Sequence, residues 1–306
     1  MNRPCANPRR GVTLLVVLWG VAFLAGITIL ATLRIDEFMT AETRAEKAFR
    51  ARQLALRGIA LGSNPAVTTG DPLLSRGDSS NPEDEGYFVK IMDDSGRINP
   101  NTWIQEADRQ LFRTLFTNWG ADLLQVDAAT DSLADWVDPD SLRSLAGAEL
   151  PEYLAAGLSG LPRNAPIADI DEMASVLNLR DLLAVQPGWR DMFTVWHDGP
   201  VNINHASADL LVSLAGLTDA QITELKDFRA GIDGIEGTED DGEFSDIDEA
   251  VAMAGASGPQ VVAMERFFGT EGSVRRISST GFAGGVERRI EAVLDGGGGL
   301  LAWEER

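Results

Sequence analysis

The segment from Asp131 to Glu152 has the residue types and spacing of a site for a hard cation. It contains six acidic residues and one basic residue, Arg143. Carboxylates two residues apart in a loop, with a later glutamate that folds back, can supply the roughly six to eight oxygen ligands that calcium takes. The spacing is not that of an EF-hand loop, and a solvated acidic loop without an ion accounts for the same residues equally well.

A second acidic segment, Asp233 to Glu249, contains nine acidic residues and no basic residue. Its spacing does not match an EF-hand loop either. Runs of like charge are usually solvated. We therefore expect a surface loop here rather than a second cation site.

Residues for nucleophilic or acid–base catalysis are scarce. The chain has two histidines, His197 and His205, and one cysteine, Cys5. Neither histidine accompanies a nucleophile motif or a paired basic residue. A single cysteine excludes an internal disulfide and a cysteine-rich zinc site. These features favour a protein that is not an enzyme.

The segment Pro200–Leu211 resembles the opening of a helix-hairpin-helix DNA-binding unit, in which Asn204 or Ser207 could cap the following helix. DNA binding by such a unit needs cations that face phosphate. Residues 199–231 instead carry two basic and four acidic residues. The charge favours a structural helix pair.

The composition is that of an acidic, folded protein of about two domains, at roughly 150 residues each. The chain has 306 residues, 44% of them hydrophobic, with 47 acidic and 26 basic residues and a formal net charge of −21. Residues 1–33 contain three arginines and no acid, so residues 34–306 have a net charge of −24. This excess argues against general nucleic-acid binding, which needs a basic surface.

The elements that must position these residues begin with an uncharged run of 22 residues, 12–33, between Arg9-Arg10 and Arg34. As a helix it would measure about 33 Å, enough to cross a bilayer core of about 30 Å. The basic flank predicts a cytoplasmic amino terminus and an exported remainder. Apolar residues continue at helical spacing to Ile59, which predicts one helix of about 50 residues, amphipathic over 34–62.

A basic leader ending in glycine before such a helix resembles the type IV pilin and pseudopilin family. The matching residues are Arg9-Arg10-Gly11 followed by Val12–Leu18. The resemblance implies that a prepilin peptidase cuts after Gly11 and leaves Val12 as the first mature residue. Most members have glutamate as the fifth mature residue, where this chain has Val16. That absence is typical of the K-type minor pseudopilins of type II secretion, and it suits a subunit that starts a filament.

The rest of the chain predicts a sheet interrupted by helices. The expected elements are a loop over 63–85, a strand over 86–92, short amphipathic helices from Trp103 to about Phe268, strands over 274–281 and 286–294, and a flexible end over 296–299. A sheet divided in this way implies an inserted domain. K-type minor pseudopilins are similar, with an all-helical domain inside a pilin-like α/β head.

The expected fold class is therefore α+β: a pseudopilin fold with a long N-terminal membrane helix and a small antiparallel sheet, interrupted by a large inserted all-helical domain. The expected divisions are a leader 1–11, a transmembrane helix 12–33, a stalk helix 34–62, the first part of the head 63–102, the inserted domain 103–270, and the last strands and tail 271–306.

The helical block contains a diverged internal repeat. Ile98–Asn101 is echoed by Val201–Asn204, and Asp169–Glu172 is echoed by Asp246–Glu249. The first copy is 26 residues longer, and we place the extra length in the acidic segment 131–152. Two related helical subdomains follow from this pattern.

The family resemblance extends to the acidic segment. Asp135-Trp136-Val137-Asp138-Pro139-Asp140, followed by Gly147-Ala148-Glu149 and Tyr153, is similar to a segment of K-type proteins, which bind calcium. The resemblance implies a structural Ca²⁺ ion, with the following ligands: Asp138, Asp140, Glu149 and Glu152, and Asp135 as a further candidate.

By resemblance, the chain is expected to be a minor pseudopilin with a single pass through the inner membrane and a periplasmic C-terminal domain. It would lie at the tip of the pseudopilus, initiate its assembly with I-type and J-type minor pseudopilins, and support protein export. Prepilin peptidase and the inner-membrane assembly platform are further expected partners, and nucleic acid is not. The alternative is a membrane-anchored envelope protein that binds DNA through the helix-hairpin-helix-like unit.

Overall fold

The computed structural model describes residues 9–81, 83–105, 109–236, 238 and 240–306; the side chains of residues 9–14 and 31–43 are outside this description. Within these ranges the helices are α1 (Arg9–Gly62), α2 (Pro100–Trp103), α3 (Gln110–Asn118), α4 (Leu123–Val137), α5 (Leu150–Ala155), α6 (Arg180–Val185), α7 (Ala208–Ala215), α8 (Asp219–Arg229), α9 (Ile247–Met253) and α10 (Pro259–Phe267). The strands are β1 (Ser75–Arg76), β2 (Glu85–Asp93), β3 (Val201–Asn202), β4 (Phe268–Gly269), β5 (Val274–Ala283), β6 (Val286–Asp295) and β7 (Leu300–Glu305). Short 3₁₀ helices cover Pro72–Leu74, Asp94–Gly96, Ile170–Ser175 and Trp189–Met192.

The first helix, α1, runs without interruption over 54 residues. No proline or glycine breaks the pattern between Thr28 and Arg57, which explains the continuity. Where side chains are described, no helical stretch is both long and apolar enough to cross a membrane. The carboxyl-terminal turns of α1 pack on β2, β5 and β6. This helix is therefore the support for the sheet.

The main sheet is antiparallel throughout, with the strand order β1-β2-β5-β6-β7. The predicted mixed helix-and-sheet class and antiparallel sheet are confirmed. The three strands expected from the sequence are present as β2, β5 and β6, and a tight turn at Gly284-Gly285 joins the last two. Because Val89 of β2 pairs with Ser279 of β5, the helices between them connect two neighbouring strands.

The expectation of a flexible end over 296–299 is wrong. This glycine-rich segment is a turn into β7, which pairs with β6 as the last strand of the sheet. The Asp295 carboxylate accepts the backbone N–H groups of Gly297 and Gly299, both at 2.8 Å, and this closes the turn. At the end of β7, Glu305 accepts two 2.7 Å hydrogen bonds from Arg52 of α1. A local carboxylate and a distant arginine thus fix a segment whose composition suggested flexibility.

Close contact between α1 and the sheet depends on small residues. Ala51 and Ala55 of α1 are fully buried. A Cβ added at Gly58 would lie 2.1 Å from the Ser279 Oγ of β5, so only glycine permits this approach. The surrounding core consists of Ala55, Ile59, Val67, Leu74, Tyr87, Val89, Ile277, Ile290, Ala292 and Leu294.

A second, larger hydrophobic core lies within the helical part, residues 98–268. Its largest fully buried side chains include Trp136, Tyr153, Phe112, Phe116 and Phe193. The two cores share no residue. The helical part therefore has a hydrophobic core of its own.

The sequence repeat corresponds to a repeated set of hydrogen bonds. The Asn101 amide brackets the backbone of Ile167, accepting its N–H at 2.7 Å and donating to its carbonyl at 2.8 Å. Asn204 brackets Phe244 in the same way, at 2.8 and 3.2 Å. Each repeat also closes by a parallel bridge between its start and its end: Ile98 with Phe193, and Val201 with Phe268.

A buried carboxylate at the end of β2 contacts both the sheet and the helical part. Asp94, which follows β2 and is fully buried, accepts hydrogen bonds from Arg276 of β5 and, at 3.1 Å, from the Thr194 hydroxyl of the helical part. Nearby, Asn202 donates to the carbonyl oxygen of Gly272 at 3.2 Å. These contacts bind the end of the first repeat and the start of the second to the same end of the sheet.

Candidate functional site

The acidic segment predicted to bind a cation folds as α4 and the loop that follows it. Carboxylates hold this loop by its backbone. Asp140 accepts the N–H of Leu142 at 2.7 Å, Asp135 accepts that of Ser144 at 3.0 Å, and Asp131 accepts that of Ala146 at 3.0 Å. The Asp131 carboxylate also binds Arg109 at 2.7 Å.

Three of the predicted ligands, Asp135, Asp138 and Glu149, lie within electrostatic reach of one another. Burial raises the pKa of Asp135. Burial, followed by the charges of Asp140 and Asp135, raises the pKa of Asp138. Burial, followed by the charges of Asp135 and Asp138, raises the pKa of Glu149. These carboxylates therefore lack enough positive charge nearby to offset their desolvation.

Buried oxygen atoms that have no hydrogen-bond donor, here called orphaned, lie in the same cluster. Asp138 Oδ1, Glu149 Oε1 and Asn164 Oδ1 are buried and accept no hydrogen bond. Glu149 is only 3% exposed as a residue. A buried acceptor without a partner costs about 1–3 kcal/mol, so a cation or a proton at this cluster would remove a real penalty. The donor set, which consists of oxygen atoms alone, fits a hard cation.

The other two predicted ligands are engaged elsewhere. Asp140 is exposed and caps the loop at Leu142, and Glu152 pairs with Arg143 at 2.9 Å. Among the described residues, no group of three or more His, Cys, Asp or Glu side chains lies close enough to hold a metal ion. Binding would thus require Asp135, Asp138 and Glu149 to draw together from these positions.

Sequence reasoning did not identify Asn164 as part of the cluster. Its amide donates to the carbonyl oxygen of Asp140, and its own Oδ1 faces no donor. Asn164 also has a left-handed backbone, with φ 48°. An isolated asparagine between Arg163 and Ala165 gave no local signal, because only the fold brings it beside the acidic loop.

Two other residues shape the cluster. A Cβ added at Gly147 would lie 2.0 Å from Asp135 Oδ2, so glycine lets the loop close over this carboxylate. The Tyr153 hydroxyl accepts the N–H of Leu177 at 2.9 Å, and burial raises its pKa to about 12. Gly147 and the buried Tyr153 therefore border the cluster.

The second acidic segment is organised differently. The Asp240 carboxylate accepts the N–H groups of Ile232 at 2.7 Å and Asp233 at 3.1 Å. Hydrogen bonds from the Thr238 side chain and from these backbone groups lower the pKa of Asp240. The protein itself satisfies this carboxylate, in contrast with the orphaned atoms of the first segment.

The helix-hairpin-helix-like segment forms α7 and α8. Of the two candidate caps, Ser207 caps α7, since its side chain accepts the N–H of Leu210 at 3.3 Å. Asn204 instead brackets Phe244. Arg229, one of the two basic residues, is 7% exposed and binds the carbonyl oxygens of Ile203 and Ala206. It is a structural residue, and the geometry gives the DNA-binding alternative no support.

The histidines have structural surroundings. His197 is 6% exposed, and its Nε2 lies 2.9 Å from the carbonyl oxygen of Pro200. His205 Nε2 lies 3.7 Å from Asp93.

The predicted processing residues, Gly11 and Val12, belong to the first turns of α1, and residues 1–8 of the predicted leader lie outside the described residues.

Comparisons with known proteins agree with this architecture. Residues 96–184 match the family model described as type II secretion system (T2SS), protein K. Two curated relatives, both called type II secretion system protein K, are each 28% identical: one from Pseudomonas aeruginosa over 162 residues and one from Klebsiella pneumoniae over 149 residues. The alignments cover 50% and 46% of this chain, and the chain spans 46% of the length of each relative.

The fold is shared with a solved structure, the GspK-GspI-GspJ complex of enterotoxigenic Escherichia coli. The match has a TM-score of 0.61 and 16% identity, and it covers 89% of this chain and 99% of the matched chain. The family model lies on the first repeat, which contains α4 and the carboxylate cluster, and the shared fold includes the sheet on either side of it. Residues 96–184 therefore match protein K of type II secretion systems, and the chain is similar to two protein K relatives over about half of its length and shares the fold of the solved complex.

Proposed function

We propose that this protein is a minor pseudopilin of type II secretion that starts assembly of the pseudopilus and remains at its tip. The observation that carries the proposal is the family match over residues 96–184, the segment that contains the first helical repeat. A helical part with its own core, seated on the head, makes a subunit too broad for another to be added above it. The role is structural rather than enzymatic.

The amino-terminal helix is the proposed anchor. The apolar run 12–33 would cross the inner membrane once, with the amino terminus in the cytoplasm and the sheet and helical part in the periplasm. Val16 stands where most pseudopilins have glutamate. A subunit without that carboxylate cannot neutralise the terminal ammonium group of a neighbour inside the membrane, and it is therefore suited to the first position in the filament.

Processing tests the pseudopilin assignment. Prepilin peptidase should cut after Gly11, so sequencing of the membrane-bound protein should give Val12 as the first residue. Gly11→Val should block this cut, whereas the matched change Gly20→Val, at a position with no heavy atom within 4 Å of an added Cβ, should leave it intact. Continued trimming at this position in the Gly11 variant would contradict the assignment.

The proposed partners are I-type and J-type minor pseudopilins. The structure of similar fold is a complex of GspK with GspI and GspJ. Full-length protein should co-purify in detergent with the I-type and J-type proteins of its own secretion system, and its absence should leave their tip complex incomplete. Failure of the three to associate would reject the tip model. The assembly platform is a further proposed partner in the membrane.

We propose further that Asp135, Asp138 and Glu149, with Asn164, hold a structural Ca²⁺ ion. The orphaned oxygen atoms and raised pKa values of the cluster support this ligand set over the wider one that includes Asp140 and Glu152. The ion would neutralise the buried charge and fix the loop after α4. Isothermal titration with calcium should show binding that Asp138→Asn abolishes and that the exposed control Asp233→Asn retains.

A further inference from the structure

Two aliphatic side chains of the helical part project almost completely into solvent. Ile232 is 98% exposed and Leu145 is 96% exposed, the highest values among the large apolar side chains that the structure describes. Each has an exposed aliphatic neighbour: Ile235 at 59% and Leu142 at 78%. Single exposed leucines are ordinary on protein surfaces; here pairs of exposed aliphatic side chains occur at two related positions, apart from the exposed pair Leu123 and Leu124 at the start of α4.

The two pairs occupy the same position in the internal repeat. In each repeat a helix hairpin has its second helix started by a capping box, Asp122 with Gln125 before α4 and Thr218 with Gln221 before α8. The segment from the second helix to the residue bracketed by the repeat asparagine begins with a loop, which in the first repeat is followed by α5. Leu142 and Leu145 lie in this loop of the first repeat, and Ile232 and Ile235 in that of the second.

Carboxylates fix the backbone of both loops. In the first, Asp140 and Asp135 accept the N–H groups of Leu142 and Ser144. In the second, Asp240 accepts the N–H of Ile232 and Asp233 accepts that of Ile235, at 2.7 and 2.8 Å. The aliphatic tips are thus held in place rather than carried on loose chain, which reduces the entropy lost when they bind.

The charge around the tips defines what can cover them. Residues 99–268 contain 30 acidic and 9 basic residues, a net charge of −21, so the rest of the chain sums to zero. Residues 230–243, around the second tip, contain six acidic residues and no basic residue. Such a field repels a second copy of this chain and an anionic lipid surface, and it attracts a basic protein.

We propose that residues 142–145 and 232–235 form a two-part docking surface for one cationic protein, which offers an apolar pocket to each loop. The aliphatic tips supply the buried contact, and the surrounding carboxylates select and orient a partner with a basic rim. This surface lies beyond the pseudopilus role, and its test does not depend on that role.

The first experiment identifies the occupant. A photo-crosslinking amino acid is placed at position 145 or 232 of the full-length chain in the cell that produces it, and at the control positions 185 and 262. Val185 and Val262 are 68% and 65% exposed but belong to neither loop. Both loop positions should capture the same protein, of net positive charge, and the controls should not. No adduct, different adducts at the two loops, a homodimer, a lipid or an acidic protein would each overturn the proposal.

The second experiment measures binding of the captured protein to the purified full-length chain in detergent. Leu145→Ser and Ile232→Ser should each weaken binding about tenfold, and raising the salt from about 0.05 to 0.3 M should weaken it further because the charges are screened. Val185→Ser and Val262→Ser should change affinity less than about twofold. Loop variants that melt like the parent yet bind equally well, or binding indifferent to salt, would overturn the docking surface.

Discussion

At the scale of the residue, the two acidic segments differ in how the protein satisfies their carboxylates. Asp240 receives backbone N–H groups and a threonine hydroxyl, and these hydrogen bonds lower its pKa. Asp138 and Glu149 each have an oxygen atom with no donor, and burial raises their pKa values. In the first cluster the protein supplies too few donors for its carboxylate oxygen atoms, which is why we propose a cation there.

Calcium should stabilise the protein. At a calcium concentration about 100 times the dissociation constant, the free energy of unfolding should rise by about 2.7 kcal/mol, which corresponds to roughly 5–10 °C in melting temperature. Melting followed by circular dichroism, with and without a chelator, measures the shift. Asp138→Asn should remove it, and Asp233→Asn, which changes a carboxylate exposed to solvent, should not. An unchanged melting temperature would count against the site.

Protonation of the cluster at low pH should stabilise the fold in place of calcium. The folded-state pKa values of Asp135, Asp138 and Glu149 are raised, so between about pH 4, the unfolded value, and those raised values the folded state binds more protons. In chelator, the contribution of these groups to stability is greatest below that window and is lost as the pH rises through it. Urea titrations should show the calcium effect shrinking as the pH falls. A double variant, Asp138→Asn with Glu149→Gln, should have a flatter pH profile in chelator.

The two repeat asparagines, Asn101 and Asn204, should contribute strongly to the free energy of unfolding. Asn204→Ala removes two hydrogen bonds and leaves the N–H of Phe244 without its acceptor, so the free energy of unfolding should fall by about 2–4 kcal/mol. Asn101→Ala should have an effect of similar size in the first repeat. Urea denaturation measures both, with the exposed Asn81→Ala as the control, expected within about 0.5 kcal/mol.

At the scale of the element, the packing of α1 on the sheet is limited by backbone approach. Gly58 lies against Ser279 and Val89, and an added Cβ would be 2.1 Å from Ser279 Oγ and 2.7 Å from Val89 Cγ2. The helix is thus held at a distance that only a glycine allows. The gain is a dense helix-on-sheet core, in which Ile277 and Ile290 are 0% and 1% exposed.

Gly58→Val should separate α1 from β5. Overpacking of this kind costs about 1–3 kcal/mol, and the cost should appear as a lower melting temperature and faster hydrogen exchange in β5. The control is Gly26→Val, where no heavy atom lies within 4 Å of the added Cβ. Equal melting temperatures for the two variants would mean that the sheet adjusts to the larger side chain.

At the scale of the whole molecule, hydrogen bonds to one buried carboxylate connect the sheet with the helical part. Asp94 is fully buried and binds both Arg276 of the sheet and Thr194 of the helical part. Arg97 adds a second cation, 3.5 Å from Asp94.

Removing either partner of the Asp94–Arg276 ion pair should lower the free energy of unfolding. Removal of one partner from a buried ion pair costs about 3–5 kcal/mol, so Asp94→Ala should destabilise by about that amount and Arg276→Met by somewhat less, since Arg97 remains beside Asp94. Their coupling energy in a double-mutant cycle should exceed about 1 kcal/mol. The exposed pair Arg50–Glu46 is the matched comparison, expected to couple by about 0.3–0.5 kcal/mol. Equal coupling in both pairs would mean that the Asp94–Arg276 pair contributes no more to stability than an exposed pair does.

Local signals in the sequence predicted the elements that depend on local physics. The unbroken helical pattern predicts α1, and the alternation of residues 286–294 predicts β6, because periodicity reports which face of an element is buried. The echo of Ile98–Asn101 in Val201–Asn204 also indicates a structural unit, since both copies use asparagine in the same way. For β7 this reasoning failed, because the glycines before it suggested mobility and its anchor, Arg52, is 253 positions away.

The sequence by itself determined the charge, the long helix, three of the five strands of the main sheet (β2, β5 and β6) and the acidic segment that could attract a cation. Only the tertiary structure decided which carboxylates are buried together, since Asp138, Glu149 and Asn164 meet through packing rather than through spacing. The structure also decided which acids the backbone satisfies and which aliphatic side chains remain uncovered at equivalent places in the two repeats. Burial and hydrogen-bond satisfaction depend on contacts between distant segments, and no local pattern in the chain encodes them.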